Sequence, residues 1–312
     1  MSDVVLRADD LAKTFRLGFF RKRIEAVKQA SFEVRRGEIF GYLGPNGSGK
    51  TTTLKMLMGL VFPSRGRAEV LGRPVPDRQA KRRLGYLPES PYFYEYLSPE
   101  EFLDLVGALC DVPRAERRLR AARLITRVGL DHARGRPLRK FSKGMLQRIG
   151  IAQALMGEPE LVVLDEPMTG LDPIGRKEIR DLMLDLKREG RTVLYSTHIL
   201  PDVEMTCDRV AMIFAGRIRS VGPLSELLTA RLLSTEVCLR PGPAGLPTLP
   251  EGARKSESPD GLVIDLPANA DVDAFLRATL AAGARVHSLT PRRESLEDLF
   301  VREATSQSQG AA

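Results

Sequence analysis

Cysteine is scarce: three residues in 312, Cys110, Cys207 and Cys238, lie far apart and form no CxxC pair. That excludes a disulfide framework, argues against a zinc site and fits a reducing cytoplasm. His132 and His287 also lack a partner at ligand spacing and read as structural or surface residues. Long apolar runs are missing as well. No window approaches the roughly 18 consecutive apolar residues of a spanning helix, and the start, MSDVVLRADDLAKTF, has no apolar stretch behind a basic one. The expectation is a chain neither secreted nor embedded in a membrane. There is no internal repeat and no long heptad array.

What is present suffices for a large buried core, since 43% of the residues are hydrophobic. The net charge of +8 comes mostly from arginine, in runs such as Arg21-Lys22-Arg23, Lys81-Arg82-Arg83 and the stretch from Arg114 to Arg123. Such runs ordinarily form a solvated surface, although they can attract anionic lipid or nucleic acid.

The densest chemistry begins at residue 38. EIFGYL is a short apolar run suited to a buried strand, and it leads into Gly44-Pro45-Asn46-Gly47-Ser48-Gly49-Lys50-Thr51, a GxxxxGK[ST] pattern. Thr52 through Gly59 then space their apolar residues for a helix of about ten residues. A strand, a glycine-rich loop and a helix N-terminus in that order make a phosphate cradle. Backbone N–H groups turn inward around the phosphate oxygens, Lys50 neutralises the β and γ phosphates, and Thr51 is placed to ligate Mg²⁺.

A second constellation follows at Leu161-Val-Val-Leu-Asp-Glu-Pro167, a short apolar strand that delivers Asp165 and Glu166 at its C-terminal end. Ligands bind at that end of parallel strands. Asp165 is the expected holder of Mg²⁺, and Glu166 the expected general base for the attacking water. About 20 residues upstream, Phe141-Ser142-Lys143-Gly144-Met145-Leu146-Gln147-Arg148 reads as a helix start.

Together these stretches resemble the ATP-binding cassette family, with GPNGSGKT as Walker A, FSKGMLQR as the signature motif and LVVLDEP as Walker B. The resemblance implies further roles. Gly170-Leu171-Asp172-Pro173 would be the D-loop, His198 the switch histidine, Phe15 the ring stacked on adenine, and Glu89 the Q-loop residue facing water or Mg²⁺. Ser142 and Gly144 would touch the γ-phosphate of a nucleotide held by a second copy of the chain. Two departures stand out: FSKGM replaces the common LSGGQ, and Glu89 replaces glutamine, which keeps an oxygen but adds a charge. Both look like the branch of the family that pairs with ABC-2-type permeases.

The implied architecture is an α/β P-loop NTPase cassette over residues 1–230, with a parallel sheet core, an N-terminal antiparallel β subdomain and a helical subdomain at about 90–156. Residues 231–312 carry different texture. A breaker-rich stretch from Pro241 to Pro247, a strand at 262–266 and a helix at 272–282 predict a small α+β appendage with a β-α-β order. The ESLEDLF stretch at 294–300 is similar to the tail of many exporter ATPases, and residues 307–312 are expected to fray.

The resemblance implies an ATPase using ATP and Mg²⁺, paired with itself, cytoplasmic and held at the inner face of the membrane by an integral membrane permease. Export is the expected direction, and nothing in the sequence names the cargo. A soluble cassette ATPase acting on the ribosome or nucleic acid is the competing reading, permitted by the basic charge and disfavoured by the single cassette.

Overall fold

The computed structural model describes residues 3–17, 22–227, 232–259, 261–293 and 295–309. The chain divides into two compact units, Met1–Leu224 and Ser225–Ala312.

The first unit opens with two long strands, β1 (Val4–Leu17) and β2 (Lys22–Arg35), followed by β3 (Ile39–Leu43) and helix α1 (Lys50–Leu57). Next come β4 (Arg65–Val70), β5 (Arg73–Pro74), the short α2 (Arg78–Arg82) and β6 (Leu84–Leu87). Three helices follow, α3 (Pro99–Leu109), α4 (Arg114–Arg127) and α5 (Lys143–Leu155). The chain then alternates through β7 (Leu161–Asp165), α6 (Pro173–Arg188), β8 (Thr192–Thr197), α7 (Leu200–Thr206), β9 (Arg209–Phe214) and β10 (Arg217–Pro223). The single turn α8 (Leu224–Leu227) lies at the boundary between the units.

Ten strands form one mixed sheet in the order β5-β4-β1-β2-β10-β9-β3-β8-β7-β6. One half, β1, β2, β4 and β5, is antiparallel, whereas β9, β3, β8, β7 and β6 run parallel. The parallel strands are short and apolar because both faces are covered: every residue of β3, β7 and β8 is buried. Leu54, Met56 and Leu57 of α1 pack with Phe40, Tyr42, Val163 and Leu194 in one core cluster. The parallel half and the antiparallel half are thus the core and β subdomain expected from the sequence, with α3, α4 and α5 as the helical arm.

Helix starts follow local chemistry. Ser98 and Glu101 form a reciprocal capping box on α3, and Asp172 caps α6 with Pro173 in its first turn.

The second unit is a four-stranded antiparallel sheet in the order β12-β13-β11-β14, built from β11 (Leu232–Arg240), β12 (Arg254–Ser258), β13 (Gly261–Pro267) and β14 (Arg285–Arg293). Helix α9 (Val272–Ala281) precedes β14, and α10 (Leu296–Gln309) follows it. Val237, Leu239, Ile264, Leu266 and Phe275 form its core. The appendage is therefore richer than the expected β-α-β unit. β12 was not visible in the sequence because it is an edge strand of polar residues, RKSES, with no buried face to impose alternation. Gln307, Ser308 and Gln309, expected to fray, continue α10, and residues 310–312 lie outside the described residues.

Among the described residues no helix is long and apolar enough to cross a membrane. Cys110 is exposed, whereas burial pushes the Cys207 thiol up to about 12.

Leu194 lies in the middle of β8 with no exposed surface. Leu194→Ala should cost about 2–5 kcal/mol through lost burial and a residual cavity. Urea unfolding of the two proteins side by side checks this, and an unchanged midpoint would show that the β3–β8–β7 core is not what limits stability.

Candidate functional site

The parallel strands place their C-terminal ends side by side. β3 runs into residues 44–51, β7 into Asp165 and Glu166, β8 into His198, and β6 into Glu89. The first of these is the glycine-rich loop. Its start is tied to β8 by the Gly44 N–H, which donates to the Thr197 carbonyl at 3.2 Å, and its turn is closed by Ser48 N–H to the Pro45 carbonyl at 3.2 Å. Gly47 and Gly49 have φ of 78° and 107°, a region where a side chain is strained. Gly49 also lies so close to β2 that an added Cβ would sit 2.4 Å from the Ala26 carbonyl oxygen. Residues 50–57 then form α1, whose N-terminus faces the loop.

Lys50 is buried. Its Nζ donates to the carbonyls of Gly44 at 2.8 Å and Pro45 at 3.2 Å, and it is ion-paired with Glu166 Oε1 at 3.0 Å. The cavity beneath the loop, about 220 Å³, is lined by Asn46, Gly47, Gly49, Lys50, Thr51 and Thr52, with Glu89 and Glu166 opposite. Ser48 is buried beside it, and its Oγ has no partner.

Asp165 has no exposed surface. Its Oδ1 accepts from Ser196 Oγ at 2.6 Å, whereas its Oδ2 has no partner. Burial pushes this carboxyl above the usual range, partly opposed by the hydroxyls of Ser196 and Thr51, and the charges of Glu89 and Glu166 push the same way as burial.

Glu166 sits at φ 51°, a left-handed conformation that a non-glycine residue adopts only when its surroundings impose it. Its N–H donates to the Ser196 carbonyl at 3.2 Å and to Ser196 Oγ at 3.0 Å. Its Oε2 accepts from Thr169 Oγ1 at 2.8 Å and lies 3.0 Å from His198 Nδ1. Ser196 and Thr169 were not singled out from the sequence. Thr169 falls between the Walker B and D-loop stretches without belonging to either pattern, and only the register that pairs Asp165 with Ser196 reveals the latter residue.

Glu89 joins the same group, accepting from Thr51 Oγ1 at 3.4 Å. The neighbouring Tyr86 hydroxyl is pushed well above its usual range by burial and then by the charges of Asp165 and Glu89. Phe15 lies on β1 opposite Ile24, half-buried and outside the core, with Lys13 Nζ 5.2 Å above its ring. It does not line the loop cavity.

Ser142, Gly144 and Asp172 are not brought to that cavity. They line a separate one of about 430 Å³ between the start of α5 and the loop before α6, and the two cavities share no lining residue. There Ser142 Oγ accepts from Met145 N–H at 3.3 Å as a helix cap, and Asp172 Oδ1 accepts from Gly175 N–H at 2.8 Å. Lys143, which stands where LSGGQ has its first glycine, lies against Gly170. An added Cβ on Gly144 would find nothing closer than Leu171 at 3.5 Å, so the backbone there is open to a ligand.

A glycine-rich loop, a helix N-terminus, a buried lysine and adjacent carboxylates on parallel strands define a nucleotide-phosphate site of the P-loop NTPase class. The ABC transporter family profile matches residues 27–169. An uncharacterized ABC transporter ATP-binding protein of Synechocystis is 43% identical over 305 residues, covering 96% of this chain and 84% of that protein. The Nod factor export ATP-binding protein I of Ralstonia nicotianae is 37% identical over 205 residues, 65% of this chain and 64% of the relative. Among solved structures, a dimeric bacterial ABC transporter cassette superposes with a TM-score of 0.64 at 25% identity, over 70% of this chain and 98% of that one. The chain belongs to the ATP-binding proteins of ABC transporters, and it is an ATPase that couples ATP hydrolysis to transmembrane transport.

The loop geometry can be tested through Gly49. Gly49→Ala introduces both a strained φ and a clash with the Ala26 carbonyl, of order 1–3 kcal/mol for the backbone strain alone. Isothermal titration should show ATP affinity lowered at least tenfold, and wild-type affinity would mean that the loop tolerates a side chain there.

Proposed function

We propose that the chain is the motor of an exporter, acting as a head-to-tail pair that closes on two ATP molecules and drives a separately encoded permease of the ABC-2 type. The observation that carries the pairing is the separation of the two cavities. One chain holds Lys50, Thr51 and Glu166 at one cavity and Ser142 and Gly144 at another, with no shared wall. A second copy brings the missing half, and the dimeric solved relative supports that arrangement.

In this reading the 44–49 backbone and the α1 N-terminus bind the phosphates, and Lys50 moves from Glu166 to the β and γ oxygens. Phe15 stacks on the adenine, while Pro45, Asn46, Ser48 and Thr52 complete the loop's contacts. Ser142 and Gly144 of the partner subunit reach the γ-phosphate, and Asp172 positions the turn that meets it. Glu166, released by Lys50, takes a proton from the attacking water, held in place by Thr169 and by His198, which also faces the γ-phosphate.

The residues present fit Mg²⁺. Asp165 Oδ2 is a buried oxygen without a partner, and beside this carboxylate lie the Thr51 hydroxyl, in the first turn of α1, and the Glu89 carboxylate that it meets. Mg²⁺ keeps waters and uses one or two protein ligands besides phosphate, which suits this sparse set. When bound, it neutralises charge on the β and γ phosphate oxygens.

The permease reading is supported by Tyr92, Tyr94 and Tyr96, which follow Glu89 and are 91%, 59% and 79% exposed. Only Phe93 of this stretch turns inward, against Phe102 with ring centroids 5.4 Å apart. Three exposed rings just after Glu89, the Q-loop position, would give a membrane partner an aromatic docking surface. That partner holds the chain at the cytoplasmic face of the membrane. Export is supported by the likeness to the Nod factor export protein. Several of the arginines in the basic stretches are locally paired, such as Arg82 with Asp111 and Arg120 with Glu116, which offsets part of the charge a nucleic-acid partner would use.

Glu166→Gln should lower kcat roughly a hundredfold to ten-thousandfold while leaving ATP binding intact. On size exclusion it should elute as a dimer with Mg²⁺ and ATP and as a monomer without them. Purified from detergent-solubilised source cells, the tagged variant should carry a polytopic membrane protein in near-equal amount. Normal turnover or a monomer under ATP would overturn the sandwich, and ribosomal proteins in place of a membrane protein would overturn the permease reading.

A further inference from the structure

We infer that Ser196 is a positioning residue of the hydrolytic site, through which β8 sets both the cation-facing oxygen of Asp165 and the backbone of Glu166. The hydroxyl is fully buried. It donates to Asp165 Oδ1 at 2.6 Å and accepts the Glu166 N–H at 3.0 Å, so one atom bridges the two acidic residues at the end of β7.

Two consequences follow from that bridge. With Oδ1 occupied, the Asp165 carboxylate is fixed in rotation, and its free oxygen, Oδ2, is the one without a partner. A carboxylate steadied in this way by an outer hydrogen bond presents a single oxygen to a metal. The second contact, with the Ser196 carbonyl at 3.2 Å, holds the Glu166 N–H in its left-handed turn. That turn aims the Glu166 side chain at Lys50 and His198.

Ser196 also stands two residues before His198 and next to Thr197, whose carbonyl accepts the Gly44 N–H. The last residues of β8 therefore hold the phosphate loop, the acidic pair and the histidine together. A shift of this strand end alters all three at once, whereas no other single hydroxyl among the described residues contacts both Asp165 and Glu166.

The inference rests on the reading of Asp165 as the Mg²⁺-holding carboxylate, and the test separates the two. Ser196→Ala removes the hydroxyl, and Ser196→Cys keeps a side chain of similar size with a weak donor. In both, the Mg²⁺ concentration for half-maximal ATPase activity should rise about tenfold or more, as it does when an outer partner of a metal ligand is lost. Mn²⁺ affinity in the presence of ADP, read by electron paramagnetic resonance, should fall by the same factor. ATP affinity measured in EDTA should stay within about twofold, because the phosphate loop is untouched. A Mg²⁺ dependence and Mn²⁺ affinity equal to wild type would overturn the role of Ser196. An equal loss of ATP affinity in EDTA would also overturn it, by showing a general collapse of the site. A wild-type protein whose ATPase activity ignores Mg²⁺ would instead overturn the reading of Asp165.

Discussion

The parallel alignment of β3, β8 and β7 is the constraint on which the rest of the site depends. Lys50 and Glu166 lie more than a hundred residues apart in sequence, yet their side chains meet at 3.0 Å because their strands flank the same central strand. β8 pairs Leu43 with Thr197 on one side and Asp165 with Ser196 on the other, so the last residues of the three strands finish level. Loops that leave a sheet at one edge can share a ligand, whereas staggered ends cannot. The all-buried pattern of these strands is the packing counterpart of that function, since helices covering both faces leave the strand ends as the open route for a ligand.

The buried Lys50–Glu166 pair is costly in isolation, because both charges have left water. It is tolerated because each charge has other partners: two loop carbonyls for Lys50, and Thr169 and His198 for Glu166. Those partners remain when the ion pair opens. The lysine can then transfer to a phosphate without being stripped of hydrogen bonds, and the glutamate is left oriented by a hydroxyl and an imidazole. The left-handed backbone of Glu166 belongs to the same economy of strain, being held by two acceptors on Ser196.

The cassette half of the fold was legible in the sequence because its chemistry is dense and local. GPNGSGKT demands a strand before it and a helix after it, and LVVLDEP announces both a buried strand and its carboxylates. The parts that were not legible lack a local signature. Ser196 is one hydroxyl in an apolar strand, and its importance lies in a register across the sheet. Thr169 reads as a loop residue until the turn after Glu166 brings it back onto the carboxylate. β12 is polar throughout because it is an edge strand, so periodicity had nothing to report. The separation of Ser142 and Gly144 from their own phosphate loop was expected from the family resemblance alone, since by its residues the signature stretch is simply a capped helix start.

Glu89, where the family resemblance expects glutamine, adds a carboxylate to the lining of the phosphate cavity. Glu166 and Glu89 line this space and Asp165 lies close enough to feel both, whereas among the described residues the cation that lines it is Lys50. Burial is the first cause that pushes the Asp165 carboxyl up, and the charges of Glu89 and Glu166 push the same way, so the three carboxylates repel one another. A polyphosphate alone would add to that repulsion. A divalent cation arriving with it would reverse the sign, and a third carboxylate would then add attraction for the metal. Glutamine at that position would bring an oxygen without a charge. If Glu89 faces the cation as proposed, glutamate would tie nucleotide entry more tightly to it, because each without the other would leave a larger charge uncompensated.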